Sequence, residues 1–164
     1  MSSYKVTHHH ECGGRAVPTK SIWFWAAGLM RKSVRVSDLL THLEVLCWTD
    51  DLGQEASASD VIGHMLSPSY QLRCWVKGPD GLVTLSSDAP EGMRQSRYLS
   101  HERRIMNADL SHPIILHGSC IADGVHRLAR AFLLREFTIV TQTVDAEDWE
   151  EMMASDGSIP VCDS

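Results

Sequence analysis

The sequence predicts an α+β fold, a single domain in which helices pack on a small mixed sheet. Three features predict it. The β-branched run Phe137–Val144 is typical of a strand, Val125–Leu133 carries apolar residues at helical spacing, and Gly78–Gly81 separates two strand-like runs. At 164 residues the chain has the length of one domain with a proper core and is short for two ordinary domains.

The predicted elements follow from apolar periodicity and from turn residues along the chain. Ser57 or Ser59 is expected to cap a helix that Pro68 stops, and Gly118-Ser119 is expected to close a tight hairpin. Strands are predicted at Val34–Val36, Gln71–Lys77, Leu82–Ser86, Ile114–Leu116, Cys120–Ala122 and Phe137–Val144. Helices are predicted at Ser21–Lys32, Leu39–Trp48, Val61–Met65, Gln95–Asp109, Val125–Leu133 and Asp145–Met153, with arginines on their outer positions: Arg97, Arg103, Arg104, Arg127, Arg130 and Arg135.

The domain is predicted to span residues 21–153, between a flexible N-terminal arm at 1–20 and a C-terminal tail at 154–164. The arm contains the run His8–His10, followed closely by Cys12. Nothing in this segment predicts a rigid element that would fix ligand geometry, so we interpret the run as a solvated tail and predict no protein metal site.

Composition and charge favour a small-molecule partner. The net charge of −6 disfavours nucleic acid, because proteins that bind it usually present a basic face. The longest apolar run, Ile22–Met30, falls well short of the ~20 residues of a membrane helix, and we expect a cytoplasmic protein with no membrane partner. The five cysteines are scattered and include no CxxC pair, which indicates neither a disulfide framework nor a zinc knuckle.

The loop Asp123–Arg127 is predicted to hold an anionic group. It lies between a predicted strand and a predicted helix, and the first N–H groups of a helix have no intrahelical partners. Gly124 lacks a Cβ that would keep a ligand from the backbone. His126 and Arg127 add two side-chain donors in the first turn, and an arginine makes bidentate contacts with phosphate. Phosphates of a nucleotide are the anion that this pattern favours.

A purely structural interpretation of the loop stays open at this point. Asp123 can serve as the N-cap of the helix, and Arg127 can pair with Asp123 or Glu136 at the surface. The doublet His126-Arg127 within one turn, followed by Arg130, is what favours anion binding over that alternative.

The segment Pro113–Val144 (PIILHGSCIADGVHRLARAFLLREFTIVTQTV) resembles the core of the ParB/sulfiredoxin superfamily. The shared pattern is a strand pair, a Gly-x-His-Arg or Gly-x-Arg-Arg loop, a helix with small inner residues and a further strand. The Asp-Gly-x-His-Arg form is most similar to the branch of free serine kinases and small ParB-like proteins. A weaker similarity covers Val34–Glu44, which resembles the first strand of the family and its acidic residue. The resemblance implies a ParB/sulfiredoxin-like fold.

The branches of that superfamily imply different functions. Sulfiredoxins have a catalytic cysteine where this chain has Val125, so sulfinic acid reduction is not expected. Partition-type ParB proteins add a helix-turn-helix domain, for which the sequence after the last predicted core strand leaves no room. A non-catalytic ParB-like module that binds a nucleotide or DNA, or a nuclease, is the alternative hypothesis.

The preferred hypothesis is phosphoryl transfer from ATP, with ATP or ADP bound together with Mg²⁺, to a small hydroxylated metabolite or a free amino acid. By resemblance, Gly124, Val125, His126 and Arg127 bind the nucleotide, and Glu44 is the candidate base. Asp123 and His126 are the other candidate catalytic residues. The residues proposed to line an acceptor pocket are Trp48, Trp75 and His101.

Overall fold

The structure is a computed structural model that describes Glu11–Cys12, Arg15–Ala16 and residues 29–45, 47–118 and 120–155. The strands within this part are β1 (Glu11–Cys12), β2 (Arg15–Ala16), β3 (Lys32–Arg35), β4 (Cys47–Thr49), β5 (Glu55–Ser57), β6 (Trp75–Lys77), β7 (Val83–Leu85), β8 (Ile114–His117), β9 (Cys120–Asp123) and β10 (Thr138–Thr143). The helices are α1 (Thr41–Val45), α2 (Ala58–Met65), α3 (Glu91–Arg94), α4 (Leu99–Asn107), α5 (Val125–Leu133) and α6 (Ala146–Ser155). The mixed α+β class is therefore confirmed.

A four-stranded mixed sheet with the order β3-β10-β8-β9 lies at the centre of the fold. Strand β10 is antiparallel to β3 and parallel to β8, and β9 returns antiparallel to β8. The parallel pairing of β8 and β10 requires a long crossover connection, which α5 provides. The other strands form three two-stranded pairs, β1-β2, β4-β5 and β6-β7. The arrangement places the end of β9, and therefore the start of α5, beside the beginning of β8.

The core forms where α5 packs on the central sheet. Leu128 and Ala129 on α5 and Ile114 and Ile121 on the strands are fully buried. Removing this much apolar surface from water is the main driving force for the packing. The predicted strand–turn–strand–helix–strand order of this segment is confirmed, and the helix prediction has the correct bounds.

Helices α2 and α4 complete the core on the side of α5. Ser57 is the N-cap of α2, where its hydroxyl accepts a hydrogen bond from the backbone N–H of Asp60, and the Asp60 carboxylate accepts one from the N–H of Ser57. This reciprocal capping box explains why the helix starts at Ala58, and it confirms Ser57 as the cap. The buried side of α2 includes Val61, Ile62 and Met65.

The predicted helix Leu39–Trp48 is confirmed only for its middle residues, Thr41–Val45. A 3-10 turn covers Val36–Leu39, α1 has five residues, and Trp48 lies in β4. The reason is the turn after it, because the Oδ1 atom of Asp50 accepts hydrogen bonds from the N–H groups of Leu52 (2.9 Å) and Gln54 (2.8 Å). That turn reverses the chain and pairs β4 with β5, which overrides the helical spacing of the leucines.

The predicted helix Gln95–Asp109 is also too long. Helix α4 begins at Leu99 and ends at Asn107, and Gln95 instead forms the end of α3. The hydroxyl of Ser96 accepts a hydrogen bond from the N–H of Tyr98, which holds the chain in a turn before α4. Arg97 therefore lies outside the helix, with its Nε atom 3.5 Å from the Oδ2 atom of Asp50.

The predicted N-terminal arm, the first predicted helix and the C-terminal tail lie largely outside the described residues. Most of the arm at 1–20, including His8–His10, lies outside them, as do residues 21–28 of the first predicted helix. Lys32, predicted as the end of that helix, is the first residue of β3. Within the part that the structure describes, no helix has the length and apolarity needed to span a bilayer.

Candidate functional site

A cleft of about 280 Å³ opens where the end of α4 meets the loop between β9 and α5. Four basic side chains line it, together with two carboxylates and two small residues. The lining residues are Arg104, Ala108, Asp109, His112, Asp123, Gly124, His126 and Arg127. The structure thus brings the predicted loop together with a second segment, 104–112. It forms one cleft in which basic residues outnumber acidic ones, four to two.

Gly124 has the backbone conformation that makes the loop possible. It is the N-cap of α5 and adopts a φ of 115°, in the region that favours glycine. A Cβ at this position would lie 3.1 Å from Cγ1 of Ile114 and 3.2 Å from Nη2 of Arg127. The space that the missing Cβ leaves is therefore filled by the protein itself. Asp123 is not the N-cap, and α5 has no side-chain cap.

Arg127 is buried beneath the loop, contrary to its predicted place on the outer side of α5. Only 9% of the residue is exposed. Its Nη2 atom donates to the Oδ2 atom of Asp123 at 2.8 Å, and its Nη1 atom donates to the carbonyl oxygen of Pro113. These contacts tie the first turn of α5 to the beginning of β8. Much of the donor capacity of Arg127 is thus used within the protein.

Arg104 is the cation that the structure adds to the site. It projects from α4 into the cleft, is half-buried, and makes no hydrogen bond or ion pair with any other residue that the structure describes. Burial lowers the pKa of Arg104 because its charge loses solvation. A partly desolvated guanidinium attracts an anion more strongly than a fully solvated one, since the attraction acts in a lower dielectric.

Asp109 and His112 form the rim of the cleft beyond α4. The Oδ1 atom of Asp109 accepts hydrogen bonds from the hydroxyl (2.7 Å) and the N–H (2.9 Å) of Ser111. These bonds lower the pKa of Asp109 and keep it a carboxylate. Its Oδ2 atom is 3.4 Å from Nε2 of His112. The rim therefore offers both an oxygen ligand and an imidazole.

His126 is oriented by a buried partner on α4. Its Nε2 atom lies 3.1 Å from Nδ1 of His101, and both imidazoles stack on the indole of Trp48, with centroid distances of 4.3 and 4.4 Å. Trp48 and His101 had been predicted to line an acceptor pocket. They are instead buried and lie behind His126 as its support.

The direction of the hydrogen bonds in this group follows from Thr49. The Nε2 atom of His101 is 2.9 Å from the carbonyl oxygen of Thr49, which can only accept, so Nε2 carries the hydrogen. Burial lowers the pKa of His101, which keeps it neutral, and its Nδ1 atom then accepts from Nε2 of His126. His101 thereby fixes the ring of His126 at the edge of the cleft.

Glu44, the predicted base, does not line this cleft. It lies on a separate, largely apolar groove whose other lining residues are Leu40, Leu43, Ser59, Ile62 and Phe132. Trp75, which is predicted to line an acceptor pocket, is a buried residue whose Nε1 atom donates to the hydroxyl of Tyr70 at 2.9 Å.

The residues that sequence reasoning missed all belong to the second segment of the cleft. Arg104 had been assigned to an outer helix position, and Asp109 and His112 had no role. The doublet Arg103-Arg104 was the available signal, but helical spacing alone does not tell which of two adjacent arginines faces a cleft.

No model of a known protein family, no curated protein and no solved structure matches this chain. The resemblance of Pro113–Val144 to the ParB/sulfiredoxin superfamily stays a prediction. Among the residues that the structure describes, no group of three or more His, Cys, Asp or Glu side chains is placed to hold a metal ion.

Proposed function

We propose that this protein binds the phosphates of a nucleotide, ATP or ADP, in the cleft between α4 and the β9–α5 loop. The observation that carries the proposal is Arg104, a half-buried guanidinium that faces the cleft and has no partner among the described residues. A buried cation is costly unless an opposite charge accompanies it. A phosphate supplies that charge and matches the fork of donors that a guanidinium presents.

The N-terminus of α5 supports the same ligand from the other wall of the cleft. Gly124 begins the helix, and the positive end of the helix dipole therefore lies at the cleft. His126 and His112 place an imidazole on either side. Arg127 and Asp123 largely neutralise each other, so the attraction for an anion comes mainly from Arg104 and the helix terminus.

The size of the cleft indicates how a nucleotide is held. Its volume of about 280 Å³ lies below the ~300–1,000 Å³ of pockets that enclose a drug-sized ligand. The phosphates fit inside such a space, and the nucleoside extends from the mouth. Affinity then depends on the number of phosphates more than on the base.

Phosphoryl transfer with ATP and Mg²⁺ is the activity we propose for the bound nucleotide. Mg²⁺ takes one or two carboxylates together with phosphate oxygens, and Asp109 is the exposed carboxylate at the rim of the cleft, whereas Asp123 accepts a hydrogen bond from Arg127. The ion would neutralise charge on the transferred group. Glu44 lies on a different groove, so we assign the base to His126 and keep Asp123 in a supporting role through Arg127.

The proposal is tested by calorimetric titration of the protein with ATP, ADP, AMP and inorganic phosphate, each with and without Mg²⁺. We expect saturable binding whose affinity rises from AMP to ADP to ATP, because each added phosphate brings negative charge to Arg104 and the helix terminus. Absence of binding by every phosphate compound would contradict the proposal. Salt-sensitive binding of DNA without nucleotide binding would instead favour the alternative of a ParB-like DNA-binding module.

A further inference from the structure

A second group of ionisable side chains lies on another side of α4. Glu102 precedes Arg104 by two residues, so the two side chains point about 200° apart around the helix axis. Glu102 is fully buried, and its Oε2 atom is 2.7 Å from Nδ1 of His64 on α2. This pair has no part in the anion cleft described above.

The carboxylate fixes the orientation and the tautomer of the imidazole. A carboxylate oxygen accepts, so Nδ1 of His64 carries the hydrogen, and Nε2 of the neutral ring keeps its lone pair. The side chain of His64 is 31% exposed while that of Glu102 is 0% exposed. Because Nδ1 points inward, the opposite edge of the ring, which includes Nε2, is the edge that faces outward.

Glu102 is held in place by hydrogen bonds to one of its two carboxylate oxygens, whereas the other oxygen has none within the described part of the chain. The hydroxyl of Ser96 donates to its Oε2 atom at 3.1 Å, whereas its Oε1 atom is buried with no hydrogen-bond partner among the described residues. Burial raises the pKa of Glu102, and the hydrogen bonds from His64, Ser96 and Tyr70 oppose that rise. A buried carboxylate of this kind takes up a proton readily when charge develops on the imidazole beside it.

The surroundings of His64 favour an uncharged ligand. Its ring meets the rings of Tyr70 and Tyr98 edge-on, at centroid distances of 5.2 and 5.8 Å. The guanidinium of Arg97, which lies over the ring of Tyr98, donates to the hydroxyl of Tyr98 at 2.8 Å and pairs with Asp50. Glu102 adds negative charge beneath the ring, and Asp60, which receives the N–H of Ser57, lies one turn before His64 on the same helix. A phosphate would be repelled here, and a neutral ester would not.

We propose that His64, oriented by Glu102, is a nucleophilic imidazole that accepts the acyl group of small uncharged esters at the surface between Tyr70 and Tyr98. In the first step the Nε2 lone pair forms a bond to the carbonyl carbon. The ester C–O bond breaks, and the alcohol oxygen leaves with that electron pair while the Nδ1 proton passes to Glu102. Water then adds to the acyl carbon and releases one proton to solvent. The C–N bond breaks, and Nδ1 regains its proton from Glu102.

The test uses the full chain with p-nitrophenyl acetate, an uncharged activated ester, and follows release of p-nitrophenolate. We expect His64→Gln to lower the protein-dependent rate by an order of magnitude or more. The matched control is His42→Gln, since His42 is a half-buried histidine without a carboxylate partner among the described residues. Its removal leaves the rate unchanged. Equal rates in wild type and His64→Gln would overturn the proposal.

The role of Glu102 is tested by the pH profile. Glu102→Gln keeps an acceptor for Nδ1 but removes the negative charge, so the limiting rate falls and the midpoint of the profile moves to lower pH. A purely structural pair would change stability and shift the midpoint, but it would leave the limiting rate in place. An unchanged limiting rate in folded Glu102→Gln would contradict the assignment.

A measurement on the wild-type protein keeps the proposal testable if the variants fold poorly. Diethyl pyrocarbonate acylates imidazoles that have an accessible lone pair, and peptide mass spectrometry locates the label. We expect His64 to be acylated faster than His42. Slower labelling of His64 would overturn the proposal, because it would show that the outward edge of the ring is not available.

Discussion

The Nη2 atom of Arg127 lies 2.8 Å from the Oδ2 atom of Asp123, which precedes it by four residues in the chain. The side chains are only 11% and 19% exposed, so the pair is shielded from solvent. Because the same guanidinium also donates to the carbonyl of Pro113, it joins the loop, α5 and β8. Arg127, which the sequence pattern predicts to bind a ligand, is thus a structural clamp beneath the proposed phosphate site.

Arg127→Ala is expected to lower the free energy of unfolding by about 3 kcal/mol, because it leaves the Asp123 carboxylate and the Pro113 carbonyl without their donor in a poorly solvated place. Urea unfolding measures the change. Arg127→Lys recovers a part of the loss, since an ammonium cannot reach both acceptors with the same geometry.

Arg103→Ala provides the comparison, because Arg103 is an exposed arginine one turn from the end of α4. The free energy of unfolding of Arg103→Ala is expected to stay within ~0.5 kcal/mol of the wild-type value. Equal stability of Arg127→Ala and Arg103→Ala would show that Arg127 is not a clamp.

Gly124→Ala is expected to destabilise the fold by more than the usual cost of a positive φ. Gly81 adopts a similar class of conformation, with a φ of 86°, but a Cβ there would meet nothing within 4 Å. Gly81→Ala therefore reports backbone strain alone, of about 1–3 kcal/mol. At Gly124 the added Cβ also approaches Ile114 and Arg127. Thermal unfolding should therefore show a clearly larger loss of stability for Gly124→Ala than for Gly81→Ala. Matching losses at the two positions would refute the proposed close packing.

The stability of the protein is expected to fall as the pH drops below 6.5, the usual pKa of a histidine, in part because of His101. Burial lowers the pKa of His101 in the folded state, so the unfolded chain binds that proton more readily. The stability that this group contributes is complete above pH 6.5 and is lost as the pH falls towards the lowered value. His101→Phe keeps the ring stack on Trp48 and removes the titrating group.

The measurement is the slope of unfolding free energy against pH between neutral and mildly acidic solution. His101→Phe should reduce this slope by up to about 1.4 kcal/mol per pH unit, which corresponds to one proton fewer taken up on unfolding. Burial also lowers the pKa of His42, and a further reduction is expected when His42→Gln is added. The same slope in wild type and His101→Phe would show that His101 does not titrate between the two states.

Local patterns were sufficient to predict the segment Pro113–Val144. Its strands and helix follow from β-branched runs, the Gly-containing turn and apolar residues at helical spacing, which tertiary contacts reinforce. The helix predicted at Leu39–Trp48 is shorter than predicted, because the side chain of Asp50 accepts the hydrogen bonds that form the turn before β5. Such bonds depend on backbone geometry that hydrophobic spacing does not encode.

The composition of the site was only partly predictable. The loop Asp123–Arg127 was found from its own residue types, yet the sequence did not show that Asp123 and Arg127 pair with each other. Arg104 comes from a helix that is remote in sequence, and its orientation depends on how α4 packs on α5. Only the resemblance to the ParB/sulfiredoxin superfamily implies Glu44 as the base, and the structure places Glu44 on another groove.

The most direct test of the central claim compares nucleotide binding by Arg104→Ala and Arg103→Ala. The two arginines are adjacent on α4, but Arg104 faces the cleft and Arg103 is exposed. Loss of a charge-assisted hydrogen bond costs about 1.5–3 kcal/mol, so calorimetry should show ATP binding weakened roughly 10- to 100-fold by Arg104→Ala. Arg103→Ala should bind as wild type does, and both variants should unfold at the wild-type denaturant concentration. Equal ATP affinity of the two folded variants would contradict the assignment of this cleft as the phosphate site.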